Sequence, residues 1–211
     1  LLIFPLITEN GGRIEWDVDR VWKGCFVGDT LDMKAVSSVE VNAGDTVYIY
    51  YHHPVVFEFP IHLSAGWNLV SIPVDADSFL ISDVFPDAFP PAFYYDPLSA
   101  SYIPTPVLFP GKGYWVLLFE DADYVITGEP LYNFELEIGA GWYIVGAPAQ
   151  TVYWEEQSSI PPDIFLPGAL YGFMPEATSY YISDVLVPGY GYWIMALENC
   201  ILNASAIYNT P

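Results

Sequence analysis

Ala65-Gly66-Trp67-Asn68-Leu69-Val70-Ser71-Ile72-Pro73 recurs in altered form as Ala140-Gly141-Trp142-Tyr143-Ile144-Val145-Gly146-Ala147-Pro148. Each copy is followed, after a proline-rich middle, by a second shared phrase. It reads Pro110-Gly111-Lys112-Gly113-Tyr114-Trp115-Val116 in the first and Pro188-Gly189-Tyr190-Gly191-Tyr192-Trp193-Ile194 in the second. Two stretches with one start, one end and an aromatic middle form an internal repeat, which specifies architecture before chemistry. In the closing phrase Tyr114, Val116 and Leu118 alternate with Trp115, Leu117 and Phe119, so a strand there is apolar on both faces. Such a strand needs cover on both sides, from a central place in a sandwich or from another chain. The turn glycines Gly111, Gly113, Gly189 and Gly191 are expected at positive φ or at close backbone approaches just before it.

The rest of the chain reads as strands and turns. Residues 13–18 alternate, with Ile14, Trp16 and Val18 on one face and Arg13, Glu15 and Asp17 on the other. Residues 38–41 and 46–51 flank turn formers at 42–45 and predict a hairpin. Residues 55–63 place Phe57, Phe59, Ile61 and Leu63 on one side, and trailing strands are expected at 124–127 and 200–207. Prolines cluster at Pro86, Pro90, Pro91, Pro97, Pro104 and Pro106, then at Pro161, Pro162, Pro167 and Pro175, which suits loops and edges. Only residues 152–159 suit a helical turn. The expected fold is all-β: an N-terminal β-module over 1–60 with a candidate exchanged strand at 1–10, then two related β-sandwich-like units over 61–134 and 135–211 that pack as one rigid body.

The phrases Gly66-Trp67-Asn68-Leu69-Val70-Ser71-Ile72-Pro73 and Pro110-Gly111-Lys112-Gly113-Tyr114-Trp115-Val116 together resemble a β-repeat that recurs in secreted and cell-surface proteins of bacteria and archaea. The resemblance spans residues 62–208. It is closer over 62–134 than over 136–208, where Tyr143, Gly146 and Tyr190 replace Asn68, Ser71 and Lys112. It implies a β architecture and a place outside the cell, and it carries no catalytic residues.

Composition narrows the partners. In 211 residues, 53% hydrophobic side chains are enough to fill real cores, while charged residues reach only 15%, well under the usual quarter. The 26 acidic residues against 5 basic ones give a formal net charge of −21, and beyond residue 60 the only base is Lys112. No basic stripe exists to neutralise phosphates, so nucleic acid and anionic membranes are excluded as partners. No apolar run approaches the roughly 18 residues that mark a membrane-spanning helix. The first seven residues are too short for a signal peptide and lack a basic region before them, so the chain is expected to begin at a processed end of an exported protein.

Several groups compete for a role. An apolar strand of Leu1, Leu2, Ile3, Phe4, Leu6 and Ile7, hinged at Gly11 and Gly12, could complete a neighbour's sheet and form the subunit interface of a polymer, or it could pair within its own domain. Trp67, Trp115, Trp142 and Trp193 stand at equivalent repeat positions and are expected in the structural core; the rival reading is an aromatic platform for sugars. Tyr94, Tyr95, Tyr102, Tyr180 and Tyr181 are candidates for exposed contacts. Cys25 and Cys200 are a candidate disulfide, with buried thiols or an intermolecular bond as the alternatives. Acidic pairs such as Asp121/Asp123 supply only part of a calcium shell, so no cofactor is expected beyond diffuse or weak Ca2+ binding. His52, His53 and His62 form no metal motif, and no catalytic motif is present. The expected function is therefore that of a non-enzymatic extracellular structural protein, a filament, sheath or surface-layer subunit that partners copies of itself. The alternative is a carbohydrate-binding or adhesive module of a larger cell-surface protein, with a glycan as partner.

Overall fold

The structure, a computed structural model, describes residues 2–7, 12–17, 25–27, 31–33, 35–43, 46–51, 56–76 and 78–206. It is all-β, and the chain divides into two units, Leu1–Val55 and Val56–Pro211. The boundary precedes the expected one because residues 57–63 pair along their whole length with residues 122–128 of the second unit.

The first unit contains β1 (Leu2–Ile7), β2 (Gly12–Glu15), β3 (Cys25–Val27), β4 (Leu31–Asp32), β5 (Ser38–Val41) and β6 (Thr46–Tyr51). One sheet runs β1-β6-β3-β4, and β2 pairs with β5. The hairpin expected over residues 38–51 does not form: β5 pairs with β2, while β6 is flanked by β1 and β3. A strand with β-branched and aromatic residues on both faces takes a central place, which a two-strand hairpin cannot offer it. The N-terminal strand pairs antiparallel with β6 of its own unit, from Leu2↔Tyr51 to Ile7↔Thr46, and forms the edge of that sheet. Of the expected hinge, Gly12 pairs with Val41 inside β2; Gly11 and Leu1 lie outside the described residues.

The second unit contains β7 (Phe57–Leu63), β8 (Gly66–Ser71), β9 (Val74–Asp75), α1 (Ile81–Val84), β10 (Phe89–Asp96), β11 (Ser101–Thr105), β12 (Gly113–Leu118) and β13 (Ala122–Pro130), followed by β14 (Asn133–Ile138), β15 (Gly141–Val145), β16 (Val152–Tyr153), β17 (Ser158–Ile160), β18 (Tyr171–Met174), β19 (Ser179–Ile182), β20 (Val185–Leu186), β21 (Tyr192–Ala196) and β22 (Cys200–Ser205). The short helix α1 was not foreseen; the expected turn near residue 152 is a single 3-10 turn at Trp154–Glu156.

Each half of this unit stacks two sheets. In the first half, β11-β10-β12-β8 faces β7-β13-β9 across a core that includes Val70, Ile72, Phe85, Leu108, Tyr114, Val116 and Leu118. In the second, β15-β21-β18-β19 faces β14-β22-β17 across Val145, Leu170, Leu186, Tyr192, Ile194 and Leu202. The doubly apolar strand β12 is central in its sheet as the alternation requires. Tyr114, Val116 and Leu118 enter the first core, while Trp115 joins a third cluster with Leu69, Ile144 and Trp193.

The turn between β7 and β8 shows how the repeat phrase folds locally. Asn68 is buried; its Nδ2 donates to the Ser64 carbonyl (2.7 Å) and the Gly66 carbonyl (3.1 Å), and its Oδ1 accepts from the Ser64 N–H at 3.2 Å. Asn68→Ala leaves these backbone groups without their buried partner, and we expect it to cost about 2 kcal/mol, read as a lower urea midpoint at unchanged slope. In the second copy Tyr143 replaces Asn68. There the Ala140 N–H donates to Asn199 Oδ1 at 2.9 Å, just as the Ala65 N–H donates to Asp121 Oδ1 at 2.7 Å.

Candidate functional site

The two halves meet through backbone groups supplied by the shared phrases. The Ser71 N–H donates to the Gly189 carbonyl at 2.8 Å, and the Gly146 N–H, from the equivalent position, donates to the Gly111 carbonyl at 2.9 Å. Isolated bridges join Val70 to Tyr190 and Lys112 to Val145. Exchanging the halves exchanges the members of each pair, the mark of an approximate two-fold axis. All four turn glycines serve this junction. Gly111 and Gly189 have φ of +78° and +88°, while a Cβ on Gly113 would lie 2.2 Å from Ile144 Cγ2 and one on Gly191 3.0 Å from the Val70 carbonyl oxygen. Both physical reasons expected for the glycines therefore apply: positive φ at Gly111 and Gly189, and a close approach at all four.

Around the axis lies a ring cluster with the same reciprocity. Trp115 packs edge to face on Phe173 at 4.7 Å, and Trp193 does the same on Tyr95 at 5.0 Å. Trp115 also meets Tyr180 at 6.4 Å, and Trp193 meets Tyr102 at 6.5 Å. Each central tryptophan is thus covered by two rings from the other half, which leaves it only 9% exposed. Trp67 and Trp142 correct the core expectation, since they are 43% and 39% exposed. They sit on β8 and β15, the edges of their sheets, where each packs against rings of its own half: Phe93 and Trp115 for the first, Tyr171 and Trp193 for the second.

The exposed and covered tryptophans border two open grooves of about 380 Å³ each. Trp67, Phe93, Tyr102, Trp115 and Phe173 line one; Trp142, Tyr171, Tyr180, Trp193 and Tyr95 line the other. The second list is the first with the halves exchanged. Each groove borrows one ring from the opposite half, so neither half builds a groove by itself. No lining residue is charged, and the indole N–H of Trp193 is buried with no hydrogen-bond acceptor among the described residues. The Tyr102 phenol is raised above its ordinary pKa, first by burial and then by the neighbouring Tyr180.

Of the tyrosines expected to make exposed contacts, Tyr95, Tyr102 and Tyr180 belong to these grooves, Tyr94 packs against the first core, and Tyr181 lines a neighbouring recess. Phe93, Tyr171 and Phe173 were missed. They alternate with Tyr94 and Gly172 inside each proline-rich middle, a pattern that superposing the two repeats would have exposed.

Carboxylates stand beyond the rings. Phe173 is followed by Met174, Pro175 and Glu176 in a recess shared with His62 and Ser64. Ser64 Oγ donates to Glu176 Oε1 at 2.8 Å, and the Glu176 carboxyl is held below its usual pKa by its own backbone N–H and by Ser64. His62 Nδ1 lies 2.8 Å from Asp123 Oδ1, and that hydrogen bond, with Asp121 and Glu176 nearby, raises its pKa. On the other side Tyr95 leads into Asp96, which lines a recess with Glu137 and Asn199.

The remaining candidates line neither aromatic groove. Cys25 lies in the first unit and Cys200 in the second, and no disulfide joins described residues. Burial pushes the Cys200 thiol pKa up. Among the described residues no group of three or more His, Cys, Asp or Glu side chains forms a metal cluster, and His52 and His53 lie outside them. No described helix is long and apolar enough to cross a membrane. Compared with protein-family models, curated proteins and solved structures, the chain matches none.

Proposed function

We propose that this chain is a non-catalytic adhesive module of a secreted or cell-surface protein, and that it holds its partner through the ringed face of residues 56–211. The observation that carries the reading is the exposure of Trp67 and Trp142 at the mouths of two matched grooves. Large rings left open beside an apolar hollow are costly in water unless a partner covers them, and Tyr and Trp are the residues on which recognition surfaces concentrate their energy. The shortage of basic groups turns the face away from nucleic acid and anionic membranes.

The test is retention of the purified protein on a glycan array and on a peptide array, beside the double variant Trp67→Ala, Trp142→Ala. We expect the wild type to be retained by one class and the double variant, still folded by circular dichroism, to lose at least about tenfold in signal. Retention that ignores both substitutions, or no retention on either array, overturns the adhesive reading.

A second reading, the structural subunit, draws on β1. Its place at the edge of its sheet offers a row of backbone groups that a neighbouring chain can extend. Ordered filaments in electron microscopy that vanish when residues 1–10 are removed would favour it, and dispersed particles with and without those residues would end it.

A further inference from the structure

We infer that the two grooves bind proline-rich polypeptide in the extended polyproline II conformation, one segment per groove, from a protein whose prolines are flanked by lysine or arginine. The inference rests on the adhesive reading above and names its partner.

The lining decides between ligand chemistries. A sugar brings hydroxyl donors and acceptors on every edge, and a wall of rings leaves most of them unsatisfied once buried. A polyproline II segment is already extended, loses little entropy on docking, and presents apolar rings that fill notches between aromatic side chains. Its prolines carry carbonyl acceptors and no N–H. It therefore buries no unpaired donor of its own against the rings.

Charge decides the flanks and the source. The grooves themselves are neutral, but Phe173 of one also lines the recess of Glu176, and Tyr95 of the other is followed in sequence by Asp96, which lines a recess with Glu137. Beyond residue 60 the only lysine or arginine is Lys112, and His62 beside Glu176 is already engaged by Asp123. A segment with a cationic end beside its prolines matches rings that stand next to an acid. The chain's own proline-rich stretches run into acids, as in Pro86-Asp87 and Pro161-Pro162-Asp163, so a second copy would set carboxylate against carboxylate. The occupant is therefore a segment of a different protein.

The two-fold relation sets the stoichiometry. Because each groove contains the other's residues with the halves exchanged, both should take the same segment with similar affinity and in opposite directions along the face.

The probe is a synthetic oligoproline of about eight prolines with two lysines at each end, long enough to cross a groove at roughly 3 Å per residue. It is titrated by calorimetry and tryptophan fluorescence into the full chain at low salt. We expect two peptides per chain, one after Trp67→Ala, one after Trp142→Ala, and none in the double variant. A glutamate-flanked peptide should bind at least about tenfold more weakly, with the difference shrinking in about 1 M salt. Glu176→Gln should weaken the Trp67 groove and leave the other unchanged. No response to the lysine-flanked peptide, or a response that ignores both tryptophan substitutions, overturns the inference. If glycans are then retained in a Trp67- and Trp142-dependent way, the adhesive reading survives alone; if they are not, both fall.

Discussion

Replacing Gly113 by alanine should lower the stability of the second unit by about 3 kcal/mol, a drop of roughly 6–12 °C in its melting temperature. The new methyl carbon would stand 2.2 Å from Ile144 Cγ2 and 3.1 Å from the Val145 carbonyl oxygen. Ile144 cannot swing aside, because it is β-branched, buried, and packed with Leu69, Trp115 and Trp193 where the halves meet. Two comparisons separate this clash from the general cost of losing a glycine. Gly168 has φ of +72° and open space around its Cα, so Gly168→Ala should cost only about 1–2 kcal/mol, the penalty of the left-handed backbone alone. Ile144→Ala removes the obstructing methyl, so the double variant Gly113→Ala, Ile144→Ala should lose clearly less than the two single losses added together. Denaturant unfolding of the four variants checks this. Strict additivity, or equal losses at Gly113 and Gly168, would show that the close approach does not govern stability.

The second large effect is expected in alkali. Tyr114 and Tyr192 are almost fully buried at equivalent positions, each with its hydroxyl accepting a backbone N–H, from Phe109 at 2.9 Å and from Val187 at 3.1 Å. Burial pushes the Tyr114 phenol up to about 12 and raises Tyr192 in the same direction. In the unfolded chain both titrate near 10. A folded pKa above the unfolded one means that the unfolded state gives up its proton first. The stabilisation is therefore complete below about pH 10 and is lost as pH rises towards 12. The shift of Tyr114 alone corresponds to about 3 kcal/mol, and Tyr192 adds in the same sense. Tyr143 and Tyr190, also raised by burial, widen the fall. Tyr114→Phe gives a crossed pattern. It should be less stable than the wild type near pH 8, where the Phe109 N–H has lost its acceptor, yet decline less between pH 9 and 12. Parallel decline in the two proteins would mean that Tyr114 is not the group that titrates.

The legible part of this molecule was its local grammar. Alternation around Trp115 required a strand covered on both faces, and β12 has a core on one side and the ring cluster on the other. The glycine pairs announced positive φ or a close backbone approach, though not what lay across it. Contacts between distant segments were not legible. Nothing in residues 38–51 announces that β6 prefers β1 and β3 to β5, because a strand with two apolar faces chooses its partner by what the whole unit offers. The tryptophans misled for a related reason. All four occupy repeat positions, so position alone made them equivalent; whether a ring is covered depends on which strand is central and which rings the other half supplies. The grooves were hidden in the same way, since each takes rings from both repeats.

The reciprocal hydrogen bonds from Ser71 to Gly189 and from Gly146 to Gly111 have a consequence for ancestry. A surface that binds its own copy across a two-fold axis is self-complementary, so a single repeat of this design would meet its twin as a symmetric dimer, dissolving on dilution. Joining the two copies in one chain replaces that dilution-sensitive encounter with a fixed local concentration. It also frees the halves to diverge. Tyr143 can stand where Asn68 stands, and the two grooves are no longer bound to remain twins.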